Sequence, residues 1–355
     1  MVKLDSSPGV PYKSEYASNA DLIADWGPSE LYRVVLERLK CLDQEEDLWE
    51  SVRKGEATAG SLIAANLVDP VRVFVKNEPH SDSKVKDGRW RLISSVSLID
   101  QLVERMLCQN QNQAEIEGWK TCPSKPGLGL DDAGCLALLE EMRSFERPAE
   151  ADVTGFDWSV QGHELRFEAE IRAELAGASK DSCFARVMRN RYLCMALSRI
   201  VLSDGTYFDQ KTPGVQKSGS YNTSSTNSRI RWWLMLLVGA RKGFAMGDDG
   251  VEEFVEGAPL KYAELGHKLK MYNECLGGEI EFCSTSFSLS KGTFVPKNWA
   301  KSVYALLNKS WHTVAAAEEL LFAFREAHRH NQRGLDAFEE VLKVARWGPQ
   351  TPLKE

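Results

Sequence analysis

Apolar positions in the N-terminal third follow helical spacing wherever turn formers permit it. Leu31, Val35 and Leu39 fall on one face of a helix that Ser29 can cap and that runs to Lys40. The earlier Ser6-Ser7-Pro8-Gly9-Val10-Pro11 stretch cannot hold a helix, because prolines and a glycine interrupt it. Val71-Arg72-Val73-Phe74-Val75 is short, β-branched and soon followed by Pro79, which predicts a strand. A helix is predicted from Ser97 to about Ile116 and another from about Asp131, separated by the loop Pro123-Ser124-Lys125-Pro126-Gly127.

The centre alternates between strand and helix periods. Asp152 ends a short strand, and residues 162–176 and 181–197 read as amphipathic helices. Residues 200–203 and 206–208 flank Asp204-Gly205, while 244–246 and 251–254 flank Gly247-Asp248-Asp249-Gly250; both patterns predict hairpins. A Gly/Ser/Asn/Thr-rich loop is expected at 218–227, ahead of a helix carrying Ile230, Trp233, Leu234 and Leu237. The longest apolar run, 232–240, predicts a buried helix segment and falls far short of the roughly 20 residues a membrane span needs. Residues 313–347 predict helices with Leu320, Leu321 and Phe324, then Leu335, Phe338 and Leu342, as apolar stripes. Without internal repeats, the pattern predicts an α+β fold with an antiparallel sheet in the middle and helices at both ends.

Composition narrows the picture. At 355 residues and 43% hydrophobic, the chain can bury a large core and exceeds the usual single-domain size. Its net charge of -7 means that any nucleic-acid contact must come from local basic patches. Eight cysteines without CxxC or paired Cys/His spacing predict a reduced, intracellular protein with small buried thiols, and exclude a zinc site or disulfide framework.

Three constellations carry candidate chemistry. If the strand of Asp152 neighbours the Asp248-Asp249 hairpin, their carboxylates converge at one sheet edge, as two divalent cations about 4 Å apart require. Alone, a GDD tripeptide arises by chance in roughly 5–10% of chains this long, so it needs company. Ser218-Gly219-x3-Thr223-x3-Asn227 offers hydroxyl and amide groups able to bond a ribose 2′-hydroxyl, and an apolar helix anchors it. Lys76, Lys84, Lys86, Arg89 and Arg91 form the densest basic run; Arg89 and Arg91 are expected on one strand face, with Trp90 opposite, suited to gripping a triphosphate.

In this order the segments resemble the RNA-dependent RNA polymerases of positive-strand RNA viruses. Asp152-Val-Thr-Gly-Phe-Asp157 resembles motif A, residues 218–227 motif B, and Gly247-Asp248-Asp249 motif C. Lys76-Asn-Glu78 with Arg89-Trp-Arg91 resembles motif F, Ser7-Pro-Gly9-Val-Pro11 motif G, and Phe282-Cys283-Ser284 the motif E primer-grip turn. Asp157-Trp158-Ser159-Val160, Arg91-Leu-Ile-Ser-Ser-Val-Ser97 and Ser124-Lys-Pro-Gly127 are similar to sobemovirus and polerovirus polymerases in particular.

The resemblance implies a right hand: fingers with the first palm elements in 1–150, palm in 151–290 with a fingers insertion at about 162–215, and a helical thumb in 291–355. It implies template-directed RNA synthesis from nucleoside triphosphates with two Mg²⁺ or Mn²⁺ ions on Asp152, Asp248 and Asp249. Asp157, Asn227 and Ser218, with Gly219 and Thr223 in support, would meet the ribose. Lys76, Arg89 and Arg91 would line the nucleotide path, and Ser7, Gly9, Pro11, Phe282, Cys283 and Ser284 the template and primer path. Either Lys268 or Lys270 would be the motif D acid. RNA and nucleotides are the implied partners, with a viral protein primer and other replication proteins beyond them, in the host cytoplasm and peripheral to membranes. Such polymerases carry a sizeable region before motif G, whereas this chain starts almost on it; a trimmed N terminus or an internal start at Met1 is expected, leaving the fingertips incomplete. A reverse transcriptase-like palm polymerase and a non-catalytic RNA-binding scaffold remain the alternatives.

Overall fold

A computed structural model describes residues 2–78, 80, 82–276, 278–297, 299–307 and 314–344. The elements are, in order, α1 (Asn19–Gln44), α2 (Leu48–Arg53), α3 (Ala59–Ala64), β1 (Val71–Val75), α4 (Asp82–Lys86), β2 (Leu92–Ser95), α5 (Leu98–Glu117), α6 (Asp132–Arg143), β3 (Pro148–Val153), α7 (Phe156–Ser159), α8 (Gly162–Leu175) and α9 (Cys183–Ala196). There follow β4 (Arg199–Val201), β5 (Tyr207–Asp209), α10 (Thr223–Val238), β6 (Gly243–Met246), β7 (Asp249–Glu253), α11 (Ala258–Glu264), β8 (Leu269–Glu274), β9 (Glu279–Phe282), β10 (Thr285–Ser288), β11 (Thr293–Pro296), α12 (Trp299–Leu307), α13 (Val314–His328) and α14 (Gln332–Val344).

The first helix begins earlier than its apolar stripe predicts. Ser18 and Asp21 form a reciprocal capping box, and the helix kinks at Gly27 (φ 70) ahead of Pro28, so Ser29 lies inside the second segment instead of capping it. Ser97 and Asp131 do cap α5 and α6, by accepting from the backbone N–H of Asp100 and Gly134.

The antiparallel sheet β6-β7-β3-β8 lies at the centre, and alternation along its strands divides two layers. Phe244 and Val251 join α6 and the small β11-β10-β9 sheet in one apolar cluster, while Ala245 packs with Met235 of α10 on the other side. A larger core links α1, α5, α8, α9 and α10 through Leu22, Ile99, Leu165, Met188 and Ile230. A third sheet, β2-β1-β4-β5, joins the basic segment to the Asp204-Gly205 hairpin. Phe324 and Phe338 pack with tilted rings in a separate cluster with Val303 of α12. The side chain of the predicted stripe residue Leu342 and the ends of 313–347 lie outside what the structure describes.

Two expectations of burial fail. Leu236 and Leu237 are 42% and 69% exposed, because α10 buries only the sides that meet the sheet and the helical core. Cys183 is exposed at the start of α9, although Cys108, Cys135, Cys194 and Cys275 are buried thiols as expected.

Candidate active site

β3 and β7 are antiparallel neighbours, with Ala151 opposite Gly250, so Asp152 at the end of β3 arrives beside the turn that opens β7. That turn is Gly247-Asp248, with Met246 paired to Asp249 across it; Gly247 adopts φ 65 and its N–H donates to Ser228 Oγ of α10 at 2.8 Å. Beneath, the buried Arg231 guanidinium bonds the Tyr262 hydroxyl (2.6 Å) and Glu252 (3.3 Å), which fixes α10 under β7.

The other two carboxylates bear on Asp249. Partial withdrawal from water, then the charge of Asp248, pushes Asp249 up to about 6; Asp152 adds to the rise and the Cys283 thiol opposes it by hydrogen bonding. Asp249, a hard oxygen donor that its carboxylate neighbours make harder to ionise, is a group that a divalent cation would relieve. The three carboxylates are gathered but not yet collected as ligands: among the described residues no three His, Cys, Asp or Glu side chains form a metal-holding group. Lys270 explains part of this, since its ammonium sits 2.8 Å from Asp152 Oδ2. Lys268 and Lys270 would share a strand face, but the register of β8 against β3 slips between Asp152 and Val153, and Lys270 is the extra residue at that bulge.

Asp157 stands at the first turn of α7, next to the sheet edge. Burial raises its pKa, while a 2.7 Å hydrogen bond from Asn227 Nδ2 and the charges of Arg91 and Lys217 oppose the rise. Because that bond aims the Asn227 amide nitrogen at Asp157, its carbonyl oxygen points away, buried and without a partner among the described residues. The expected 218–227 loop is shorter than its composition suggests. Thr223 already opens α10, so Thr223 and Asn227 are helical. Thr223 Oγ1 donates to the Lys217 and Ser220 carbonyls at 2.8 and 3.0 Å, closing the loop on itself. Ser218 Oγ accepts from the N–H of Ser94 in β2, and a Cβ on Gly219 would stand 2.0 Å from the Ser94 carbonyl oxygen. Glu104 of α5 takes Ser220 Oγ and the Tyr221 N–H from the other side.

The basic run divides. Arg91 is drawn to the site, but Arg89 is not: residues 89–91 precede β2, and Arg89 pairs with Asp87 (2.5 Å) on an exposed turn. No shared strand face exists for the two arginines. Lys76 donates its backbone N–H to the Arg91 carbonyl, and its ammonium pairs with Glu78 at 2.9 Å. Glu78 also meets Arg91 (3.4 Å) and Lys301 of α12 (3.3 Å), contacts that local reading of the sequence missed. Ser7, Gly9 and Pro11 form a turn against the β2–α5 junction, where Gly9 (φ 77) leaves no space for a Cβ beside Ser97. Cys283 and Ser284, both left-handed, turn β9 into β10, with Phe282 edge-on to Phe244 at 5.1 Å.

A family model described as viral RNA-directed RNA-polymerase matches residues 6–299. The chain belongs to this family. It is 44% identical to the replicase polyprotein P2AB of Southern bean mosaic virus over 315 residues, covering 86% of this chain and 32% of that one. It is 38% identical to protein P1-P2 of Potato leafroll virus, over 86% of this chain and 29% of that one. An RNA-directed RNA polymerase of Mushroom bacilliform virus is 36% identical over 86% of this chain and 74% of its own length. The chain thus spans about a third of the curated polyproteins it matches. A sicinivirus 3Dpol RNA-dependent RNA polymerase superposes with a TM-score of 0.65 at 16% identity, covering 85% of this chain and 65% of that one. The fold is that of a right-hand polymerase, and polymerases of this family generally use divalent metal ions.

Proposed function

We propose that the chain is an RNA-dependent RNA polymerase core that transfers nucleotides from ribonucleoside triphosphates to an RNA 3′-hydroxyl in the replication of a positive-strand viral genome. The observation that carries this reading is the union of Asp152, Asp248 and Asp249 at one sheet edge with the Asp157–Asn227 pair beside it. In this reading residues 1–150 supply fingers and the first palm elements, 151–290 the palm with a fingers insertion at about 162–215, and 291–355 the thumb.

Asp152, Asp248 and Asp249 would hold two Mg²⁺ or Mn²⁺ ions. When bound, such ions activate the attacking hydroxyl and balance the charge of the leaving pyrophosphate. The Asn227 carbonyl, without a partner among the described residues, would accept from a 2′-hydroxyl, with Asp157 as its neighbour, which favours ribonucleotides over deoxynucleotides. Arg91 and Lys76 would grip the triphosphate, exchanging Glu78 for phosphate oxygens. Lys270, already at the site, would give the pyrophosphate its proton. The turns at 7–11 and 282–284 would guide template and primer. Further partners are a viral protein primer and other replication proteins, which would hold the core at a membrane periphery in the host cytoplasm; no described helix is long and apolar enough to cross a membrane.

Templated incorporation of labelled nucleotides tests the proposal. Asp248→Ala should abolish incorporation while circular dichroism and thermal melting remain those of the parent. Undiminished incorporation by the folded variant removes the case.

A further inference from the structure

Lys217 precedes the Ser218-Gly219 loop and is 2% exposed. Lysine is rarely buried to this extent, since withdrawing an ammonium from water is costly unless something compensates. Here the compensation is backbone: Lys217 Nζ donates to the carbonyls of Gly214 (3.2 Å) and Val215 (2.9 Å), and among the described residues it forms no ion pair. Those carbonyls belong to a strained bend. Val215, a β-branched residue, adopts φ 62, a conformation that persists only where the surroundings impose it.

The bend joins two parts of the site. The Val215 and Gln216 N–H groups donate to Val160 and Asp157 carbonyls, both at 2.8 Å, so one side grips the turn that bears Asp157. On the other side the Lys217 carbonyl accepts from Thr223 Oγ1 at 2.8 Å, at the start of the helix that bears Asn227. Behind the loop a cavity of about 20 Å³, lined by Lys217, Glu104, Arg191, Ser220 and Asn222, has room for one water.

We propose that Lys217 is a positioning residue for sugar selection: its buried ammonium holds the 214–217 bend and thereby sets where Asp157 and Asn227 meet the 2′-hydroxyl of the incoming nucleotide. The inference rests on the polymerase reading and extends it to a residue that touches no substrate. Burial pushes Lys217 down to about 7 against the pull of the Asp157 charge, so the ammonium is present below neutral pH and lost above it. Among the described residues, the other charged or titratable groups facing this region include Asp248 at the β6–β7 turn, Arg91 ahead of β2, Glu104 of α5, and Arg191 and Tyr192 of α9.

The measurement is the ratio of kcat/KM for a ribonucleoside triphosphate to that for its 2′-deoxy analogue on one primed template, from pH 6 to 8.5. Titration of groups that serve both sugars alike cancels in this ratio. In the parent protein the ratio should fall at least threefold as pH rises through 7. Lys217→Met, which keeps the length and removes the charge, should lower the ratio about tenfold and leave it independent of pH. A flat parental ratio, or a folded Lys217→Met variant with the parental ratio, overturns the inference alone; the parental series decides even if the variant does not fold. A parent that incorporates no nucleotide overturns the polymerase reading, and this inference with it.

Discussion

One slipped register decides which lysine can serve the carboxylate cluster. In an uninterrupted strand Lys268 and Lys270 would share a face and be equivalent candidates, which is all that their spacing conveys. The bulge opposite Asp152 aims Lys270 at the carboxylate, while Lys268 contributes its carbonyl to the Thr154 N–H. Lys270→Met should therefore lower the single-turnover rate by about 10²-fold, the usual scale of a lost general acid, and Lys268→Met by less than twofold. Equal losses in the two variants would remove the distinction. The aspartates themselves were legible in the sequence because a Gly-Asp-Asp hairpin tip is a local pattern. The choice of Lys270 over Lys268 was not, because a bulge arises from how two strands pair and leaves no mark in either one alone.

At the scale of elements, the loop before α10 is wedged between a strand and a helix. Gly219 lies so near β2 that a methyl group would reach within 2.0 Å of the Ser94 carbonyl oxygen, which a backbone held in a sheet cannot yield cheaply. Gly219→Ala should cost about 1–3 kcal/mol, the range for overpacking a filled site, read as a lower urea midpoint with unchanged slope. A stability within 0.5 kcal/mol of the parent, roughly that of an ordinary surface substitution, would mean the loop simply moves aside. The wedge also explains an error of reading. Thr223, Ser224, Ser225, Thr226 and Asn227 favour turns and caps over helix interiors, so composition extends the loop through them. Packing overrides that preference: Ser225 is bonded by Arg172, Thr226 by Tyr192 and Asn227 to Asp157, each from a different element. The first helix is likewise read as starting too late, for a different reason. Its Ser18-x-x-Asp21 box is a local signal, but Gly27-Pro28 conceals the continuity of the two segments.

The whole molecule closes through contacts between residues remote in the chain. The order of the motifs is readable along the sequence, since each motif is short; how α12 meets the basic segment is not. Glu78 makes that junction, holding Lys76, Arg91 and Lys301 around one carboxylate. Burial opposes its ionisation, but hydrogen bonds from Lys76 and Lys301 and their charges outweigh this and bring Glu78 down to about 2. A carboxyl depressed on folding contributes stability that is complete above its unfolded value, about 4.5, and that is lost as pH falls through about 2. Glu78→Gln leaves the three cations facing one another without an anion, so its melting temperature should lie below that of the parent at pH 7. The gap should narrow once the pH drops below about 4.5. Added salt at pH 7 should narrow it as well, because these side chains are partly exposed and their repulsion is screened. Melting curves of both proteins across pH 7 to 3, at low and high salt, measure this directly. A gap that ignores both pH and salt would show that Glu78 acts by its shape, and that the closure of the hand does not depend on its charge.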